Sequence, residues 1–250
     1  MLYGACGESE NIISEVIDMK DVLGFLTEYK FTLRFGKYFR IYGENILQSV
    51  GFRRERAFKY PVLNISFYSL YGEYYDKWCF TSFGHESGFP VTYLLPELRL
   101  SLCEKDVSIE ESIEILMKYG LEQLNNIYYQ KDIYTVSCML YEKRFGFKSF
   151  SGYLVEPCLY AGLYEEALDS LNKLILMGIE STKAQCEDQK MSQTDIDIEV
   201  EREIENMKKY YEIKDLILTR NFKAIDKLLC LNLEKNLKHL KRLRITGPQL

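Results

Sequence analysis

Residues 44–83 constrain the chain most, because the period of its apolar residues changes there. Phe39, Tyr42, Ile46, Leu47 and Val50 recur at helical spacing, and Gly51 is the residue type that closes a helix in the left-handed conformation. The sequence therefore predicts a helix ending at Gly51. From Val62 the spacing becomes two. Leu63, Ile65 and Phe67 share one parity and Val62, Asn64, Ser66 and Tyr68 the other, as in a half-buried strand. After the turn GEYYDK, Trp78, Phe80 and Phe83 form a second aromatic, β-rich run, which predicts an antiparallel neighbour.

The rest of the chain sorts around this pair. Strands are predicted near 54–60, 62–71, 77–84 and 91–102, the last carrying Pro96 and so better suited to an edge or bulge. Before them, Val16, Val22, Leu23, Leu26 and Leu33 predict helix across 11–35, with a break near Gly24 and a short strand over Ile12–Ile17 as the alternative. Ser108 stands three residues before Glu111, the capping-box spacing, and Ile109, Ile113, Leu116, Leu121 and Leu124 then predict a helix to Asn126. A further helix follows over 132–143. YLVEPCLYAGLYEEALDSLNKLILM reads as helix, Gly162 turn, helix, the arrangement of one tetratricopeptide unit, with a fainter echo in LILTRNFKAIDKLL at 216–229.

Polar residues 181–194 predict a loop, with Thr194 capping the helix after it. That helix carries Ile196, Val200, Ile204, Met207 and Tyr211 as a stripe needing a partner, for which a short final helix with Leu233, Leu237 and Leu240 is the candidate, ahead of a frayed tail RITGPQL. Strands grouped before helices predict an α+β fold: an N-terminal antiparallel sheet of about four strands covered by helices (1–128), then a helical C-terminal lobe packed against it (129–250).

Chemistry leaves few marks. GxGxxG, GxxxxGK[ST], HExxH, GxSxG and CxxC are all absent, the histidines number two, and the seven cysteines are scattered. No cofactor and no metal is predicted, and no catalytic residue is assigned. His85, beside Glu86 and Ser87, is the one candidate base, weighed against an ordinary strand-end histidine. Any two of the 37 acids could converge, which keeps a glycan or small-molecule hydrolase as an alternative function. No run approaches the roughly 20 apolar residues needed to span a bilayer, and MLYGACGESE has neither the basic start nor the apolar stretch of a signal peptide. Cytoplasmic residence is the expectation, and the odd cysteine count agrees with reduced thiols.

Charge is unevenly placed. Residues 187–205 carry a net −6 and residues 207–250 a net +7. Lys235, Lys238, Lys241, Arg242 and Arg244 offer a phosphate-binding cluster and hence a nucleic-acid alternative, although Leu233, Leu237, Leu240 and Leu243 explain the same segment as an amphipathic helix.

The order helix, LQSVGFRRERAFKYP, aromatic strand resembles bacterial proteins of domain-of-unknown-function family 4304, together with the helix after SIEES and the hairpin around GLYEEAL. Proteins of this kind are similar to the immunity proteins that neutralise polymorphic toxins, so the resemblance implies binding of a protein partner and supplies no site residue. Toxins that attack nucleic acid carry basic clefts, which an acidic face would match. The predicted partner-binding residues are accordingly Glu187, Asp188, Asp195, Asp197, Glu199 and Glu201, with aromatic help from Tyr74, Tyr75 or Trp78.

Overall fold

The structure, a computed structural model, describes residues 22–53, 61–72, 88–94, 107–145 and 154–245. After a 3-10 turn at Gly24–Thr27, five strands form one antiparallel sheet in chain order: β1 (Thr32–Arg34), β2 (Lys37–Tyr42), β3 (Ile46–Arg53), β4 (Val62–Ser69) and β5 (Gly88–Pro90). The central β3–β4 pair runs in unbroken register from Ile46 opposite Ser69 to Arg53 opposite Val62. Strand alternation sends Tyr38, Ile46, Val50, Leu63, Ile65 and Phe67 to one face and Phe39, Ile41, Leu47 and Tyr68 to the other.

Both faces are covered. On the first lie α1 (Ile109–Ile115), a π turn (Leu116–Gly120), α2 (Leu121–Asn126) and α3 (Gln130–Phe145), which contribute Leu116, Leu121, Leu124, Ile133 and Leu140 to the main core. Ser108 caps α1 by accepting from the Glu111 amide at 3.2 Å, as its spacing predicts. The chain continues through α4 (Val155–Tyr160), α5 (Tyr164–Asp188), α6 (Gln193–Asn206) and α7 (Lys208–Leu218), and α8 (Phe222–Arg242) then returns to the second sheet face. There Leu240 and Ile245 complete a cluster with Phe39, Ile41, Leu47, Tyr68 and Leu70. The α+β architecture, sheet first and helices after, is the predicted one.

Several local predictions are overturned. Phe39 to Val50 form two strands and no helix, because burial on both faces erases the polar alternation that marks a strand; the apparent helical spacing combines residues from opposite faces. Gly51 lies within β3, where an added Cβ would stand 2.7 Å from Lys37 Cγ. Helix does not persist to residue 35, since the 3-10 turn gives way to β1; Ile12–Ile17 lie outside the described residues. Val91–Leu94 form a 3-10 turn in place of a strand, and β5 occupies Gly88–Pro90, between the strands predicted at 77–84 and 91–102. The strands predicted at 54–60 and 77–84 lie outside the described residues. Ile245 is fully buried, so the tail is held at least that far.

Covering both faces also buries polar groups, and among them Arg40, Gln48, Asn232 and Asn236 are answered. Arg40, 5% exposed on the first face, donates through Nε to Gln48 Oε1 at 2.7 Å, through one terminal nitrogen to the Tyr29 carbonyl at 3.1 Å and through the other to Asn125 Oδ1 at 2.7 Å. Its guanidinium lies 4.5 Å from the Phe31 ring centroid and 4.4 Å from that of Tyr42. Burial pushes its pKa down to about 10, which leaves it charged at neutral pH. Gln48 Nε2 in turn donates to the carbonyls of Leu124 (2.6 Å) and Ile127 (3.2 Å), the end of α2. On α8, Asn236 Nδ2 donates to the carbonyls of Leu70 (2.8 Å) and Gly72 (2.7 Å), and Asn232 Nδ2 to that of Tyr71 (3.1 Å). These amides occupy backbone acceptors where β4 stops pairing.

The helical segment repeats one device. Gly162 (φ 72°) and Arg220 (φ 53°) each close a helix in the left-handed conformation, with matching 6→1 bonds from Leu163 N to Cys158 O and from Asn221 N to Leu216 O. The next aromatics, Tyr164 and Phe222, stack on one another at 4.5 Å, and Ala167, Leu171, Ile225 and Leu229 share one core. The faint echo at 216–229 is thus a second helical hairpin packed against the first.

Two stability measurements follow. Asn236→Leu leaves the Leu70 and Gly72 carbonyls without their donor and lowers unfolding free energy by about 2–4 kcal/mol in urea titration. Arg40→Leu strands the Gln48 and Asn125 acceptors while removing a desolvated charge, so the net loss is smaller, about 1–3 kcal/mol.

Candidate protein-interaction face

The acidic segment folds as the α5–α6 hairpin. The predicted loop at 181–194 is helix to Asp188, then a tight turn, then α6 from Gln193. Polarity misled the prediction because this stretch is a helix with almost no core to face: within residues 176–188 of α5, Cys186 is the one buried side chain. Lys190 (φ 57°) closes α5, with the Met191 amide reaching back to Cys186 O at 3.1 Å. Ser192, not Thr194, caps α6. It accepts from the Asp195 amide at 3.3 Å and donates to Asp195 Oδ2 at 2.6 Å, while Thr194 lies inside the helix.

The partner of the stripe is α5, not the final helix, which is taken by the sheet; Ile196 and Met207 are its buried members, whereas Ile204, expected among them, is turned outward. Gly178 makes the approach close, since a Cβ there would stand 2.9 Å from Met207 Sδ and 3.3 Å from Glu203 Oε1. Between the two helices lies an open groove of about 420 Å³, edged by Thr182, Cys186, Met191, Glu199, Arg202 and Glu203.

The structure divides the predicted acids between two directions. Asp195 is spent on the cap, and Glu199 lines the groove and holds Arg202 Nη1 through both oxygens at 2.7 and 2.9 Å. Asp197 and Glu201 face solvent, with Asp197 Oδ1 accepting from Gln193 Nε2 at 2.9 Å. At about 100° per residue, Asp197, Glu201 and Glu205 share one face of α6. That face is flanked by Ile198, 49% exposed, and Ile204, 38% exposed. Glu205 and Ile198 are members that the prediction missed, and Ile204 was assigned to the buried stripe; the four-residue spacing of Asp197, Glu201 and Glu205 was the available signal. Glu187 and Asp188 are exposed in the last turn of α5, where the helix dipole favours cations, so they oppose local stability by about 0.3–1 kcal/mol each.

Tyr74, Tyr75, Trp78 and His85 lie outside the described residues. The described chain carries a different aromatic pair, missed in the sequence: Tyr128 (45% exposed) and Tyr129 (49% exposed) between α2 and α3. Asp132 Oδ2 accepts from both their amides, at 3.0 and 2.6 Å. The β2–β3 turn clamps the loop further: Glu44 N donates to Tyr128 O at 2.8 Å, Gln130 N donates to Glu44 Oε2 at 3.1 Å, and Gln130 Nε2 donates to Glu44 O. Gly43 (φ 55°) permits the contact, because a Cβ there would collide with the Tyr128 carbonyl. The Tyr128 ring stands edge-on to Tyr42 at 5.5 Å and to Tyr129 at 5.0 Å. These are immobilised, solvent-facing aromatics, the side-chain type enriched where proteins bind proteins.

The basic residues Lys235, Lys238, Lys241, Arg242 and Arg244 are exposed, while the leucines of α8 pack on the sheet, so the amphipathic reading of that helix holds. Cys138, Cys158 and Cys186 are buried thiols, with burial pushing the pKa of Cys158 up, and Cys230 is an exposed thiol. Among the described residues, no cluster of three or more His, Cys, Asp or Glu suits a metal, and no helix is long and apolar enough to cross a membrane. No family model, curated protein or solved structure matches the chain.

Gly178→Leu tests the hairpin. The larger side chain meets Met207 and Glu203, so α6 is pushed off α5 and unfolding free energy falls by about 1–3 kcal/mol, read by denaturant titration, with earlier amide exchange confined to residues 176–206.

Proposed function

We propose that this chain is a cytosolic protein-binding module of the immunity type, which occludes a cognate toxin or another basic protein partner. The observation that carries the reading is the outward face of α6, where Asp197, Glu201 and Glu205 stand in a row between exposed Ile198 and Ile204. Exposed carboxylates contribute little to folding even where, as for Glu205 with Lys208 at 3.5 Å, a surface cation is near, and two half-exposed isoleucines beside them serve no core. Together they form a surface that attracts a basic partner over distance and offers apolar area once contact is made. The carboxylates at the end of α5 extend the same negative field, at a cost to the helix that bears them. Tyr128 and Tyr129 take the role of aromatic anchors, since rings held by a hydrogen-bonded loop lose little freedom on binding.

The decisive experiment measures association with the product of a toxin-like reading frame adjacent to the gene. Asp197→Asn, Glu201→Gln and Glu205→Gln introduced together slow association by roughly tenfold or more at low salt and flatten its salt dependence, with an unchanged circular dichroism spectrum. Equal rates for both proteins across a salt series overturn the electrostatic face. Turnover found in a substrate screen, and lost on changing His85 or a groove carboxylate such as Glu199 or Glu203, replaces the binding reading with a hydrolytic one.

A further inference from the structure

The charge separation along the sequence becomes, in the fold, two complementary helix faces. The outward face of α6 carries Asp197, Glu201 and Glu205 with Ile198 and Ile204 at its margins. The outward face of α8 is its counterpart. At about 100° per residue, Lys227, Leu231, Lys238 and Arg242 form one stripe, with Lys235 and Lys241 on either side. All six are exposed, and Leu231, 46% exposed, sits within the cations as the isoleucines sit beside the carboxylates. The opposite side of α8, through Ile225, Leu229, Asn232, Asn236 and Leu240, is committed to the fold.

We propose that these two faces bind one another between molecules, so that the occupant of the basic face of α8 is α6 of a second copy of this chain. Charge sign and apolar content match. Lengths match as well: the carboxylate row, from Asp197 to Glu205, spans about 12 Å, within a cationic stripe of about 22 Å from Lys227 to Arg242. Of the two acids on α8, Asp226 lies off the stripe and Glu234 lies within it, one carboxylate among five cations; α6 brings Arg202, turned to Glu199, and Lys208 just beyond its end stands 3.5 Å from Glu205. The two faces lie on different helices, so each molecule offers one donor and one acceptor surface. Copies then pair reciprocally about a two-fold axis or add head to tail. Contact between exposed ions is screened by salt, which makes the association weak at high ionic strength.

The test uses the full chain alone, so its outcome is independent of whether a toxin partner exists. Light scattering and sedimentation equilibrium are run at about 0.01 M and about 1 M salt, where the screening length is about 30 Å and about 3 Å. The expected result is a mass that rises with concentration above the 29.5 kDa of one chain at low salt and returns to it at high salt. Two charge-reversed variants separate this contact from others: Asp197→Lys, Glu201→Lys, Glu205→Lys on α6, and Lys227→Glu, Lys238→Glu, Arg242→Glu on α8. Each alone stays a single chain at low salt, and an equimolar mixture recovers association. A wild-type protein that remains one chain at every concentration overturns the proposal. So does association that survives in either variant, or a mixture of the two that fails to associate. Circular dichroism of each variant confirms the fold, and the single-residue forms Glu201→Lys and Lys238→Glu, expected to weaken association by a smaller factor, serve if a triple variant misfolds.

Discussion

A sheet covered on both faces has nowhere to leave its polar groups, and the rest of this structure depends on how that is solved. β2 and β3 bring Arg40 and Gln48 into the main core, and just past the end of β4 the carbonyls of Leu70, Tyr71 and Gly72 are turned to α8. Helix ends and side-chain amides supply the missing partners. Gln48 takes the open carbonyls of α2, Arg40 takes Asn125 beside them, and Asn232 and Asn236 of α8 take the carbonyls at the end of β4. The same bonds therefore satisfy the sheet and fix which helix lies on which face. An apolar contact is tolerant of sliding; a hydrogen bond to a particular carbonyl is not. The last long helix is thereby registered on the first sheet, across more than 160 residues of sequence.

This two-sided burial also decides what could be read in advance. The α+β order was legible, as were β4, the Ser108 cap and the turn at Gly162, because each rests on a local signal: a period of two, a capping spacing, a residue suited to positive φ. β2 and β3 were not. In KYFRIY and ILQSVGFR apolar residues fall on both parities, so the period that identifies a strand is absent, and Phe39, Ile46 and Val50 imitate a helix by accident. Arg40 and Gln48 carry no sequence signal of burial, since nothing local reveals that Asn125 and the end of α2 lie opposite them. The left-handed closures at Lys190 and Arg220 were hidden because neither is glycine.

For the candidate face the limits were of a different kind. Acidity marked the right hairpin, but composition does not say which way a carboxylate points. Once α6 is known to begin at Gln193 under the Ser192 cap, the angles follow, and Asp195 and Glu199 turn out to serve the helix itself while Asp197 and Glu201 face outward. Tyr128 and Tyr129 were overlooked because their significance lies in the bonds from Asp132 and from Glu44, the second of which comes from a turn 84 residues earlier in the chain than Tyr128.

The two surfaces also differ in how firmly the fold holds them, and this bears on the role that the proposed function gives to each. The tyrosines are fastened to the sheet through the β2–β3 turn and share its stability. The α5–α6 hairpin has no such anchor: beyond Ile175, α5 buries only Cys186, and α6 buries only Ile196. Elements with so little buried surface open at the low end of the stability range, well before the core. A charged face on such an element acts chiefly through its long-range field, which needs sign and position but tolerates some motion. A rigid aromatic pair acts on the life of the contact, where lost side-chain freedom counts against binding. Substitutions on α6 that keep its helix are therefore separable from the sheet and its clamps, because Asp197 and Glu199 bond within α6 while Arg40, Gln48 and Asn236 bond to the sheet, to α2 and to the end of β4.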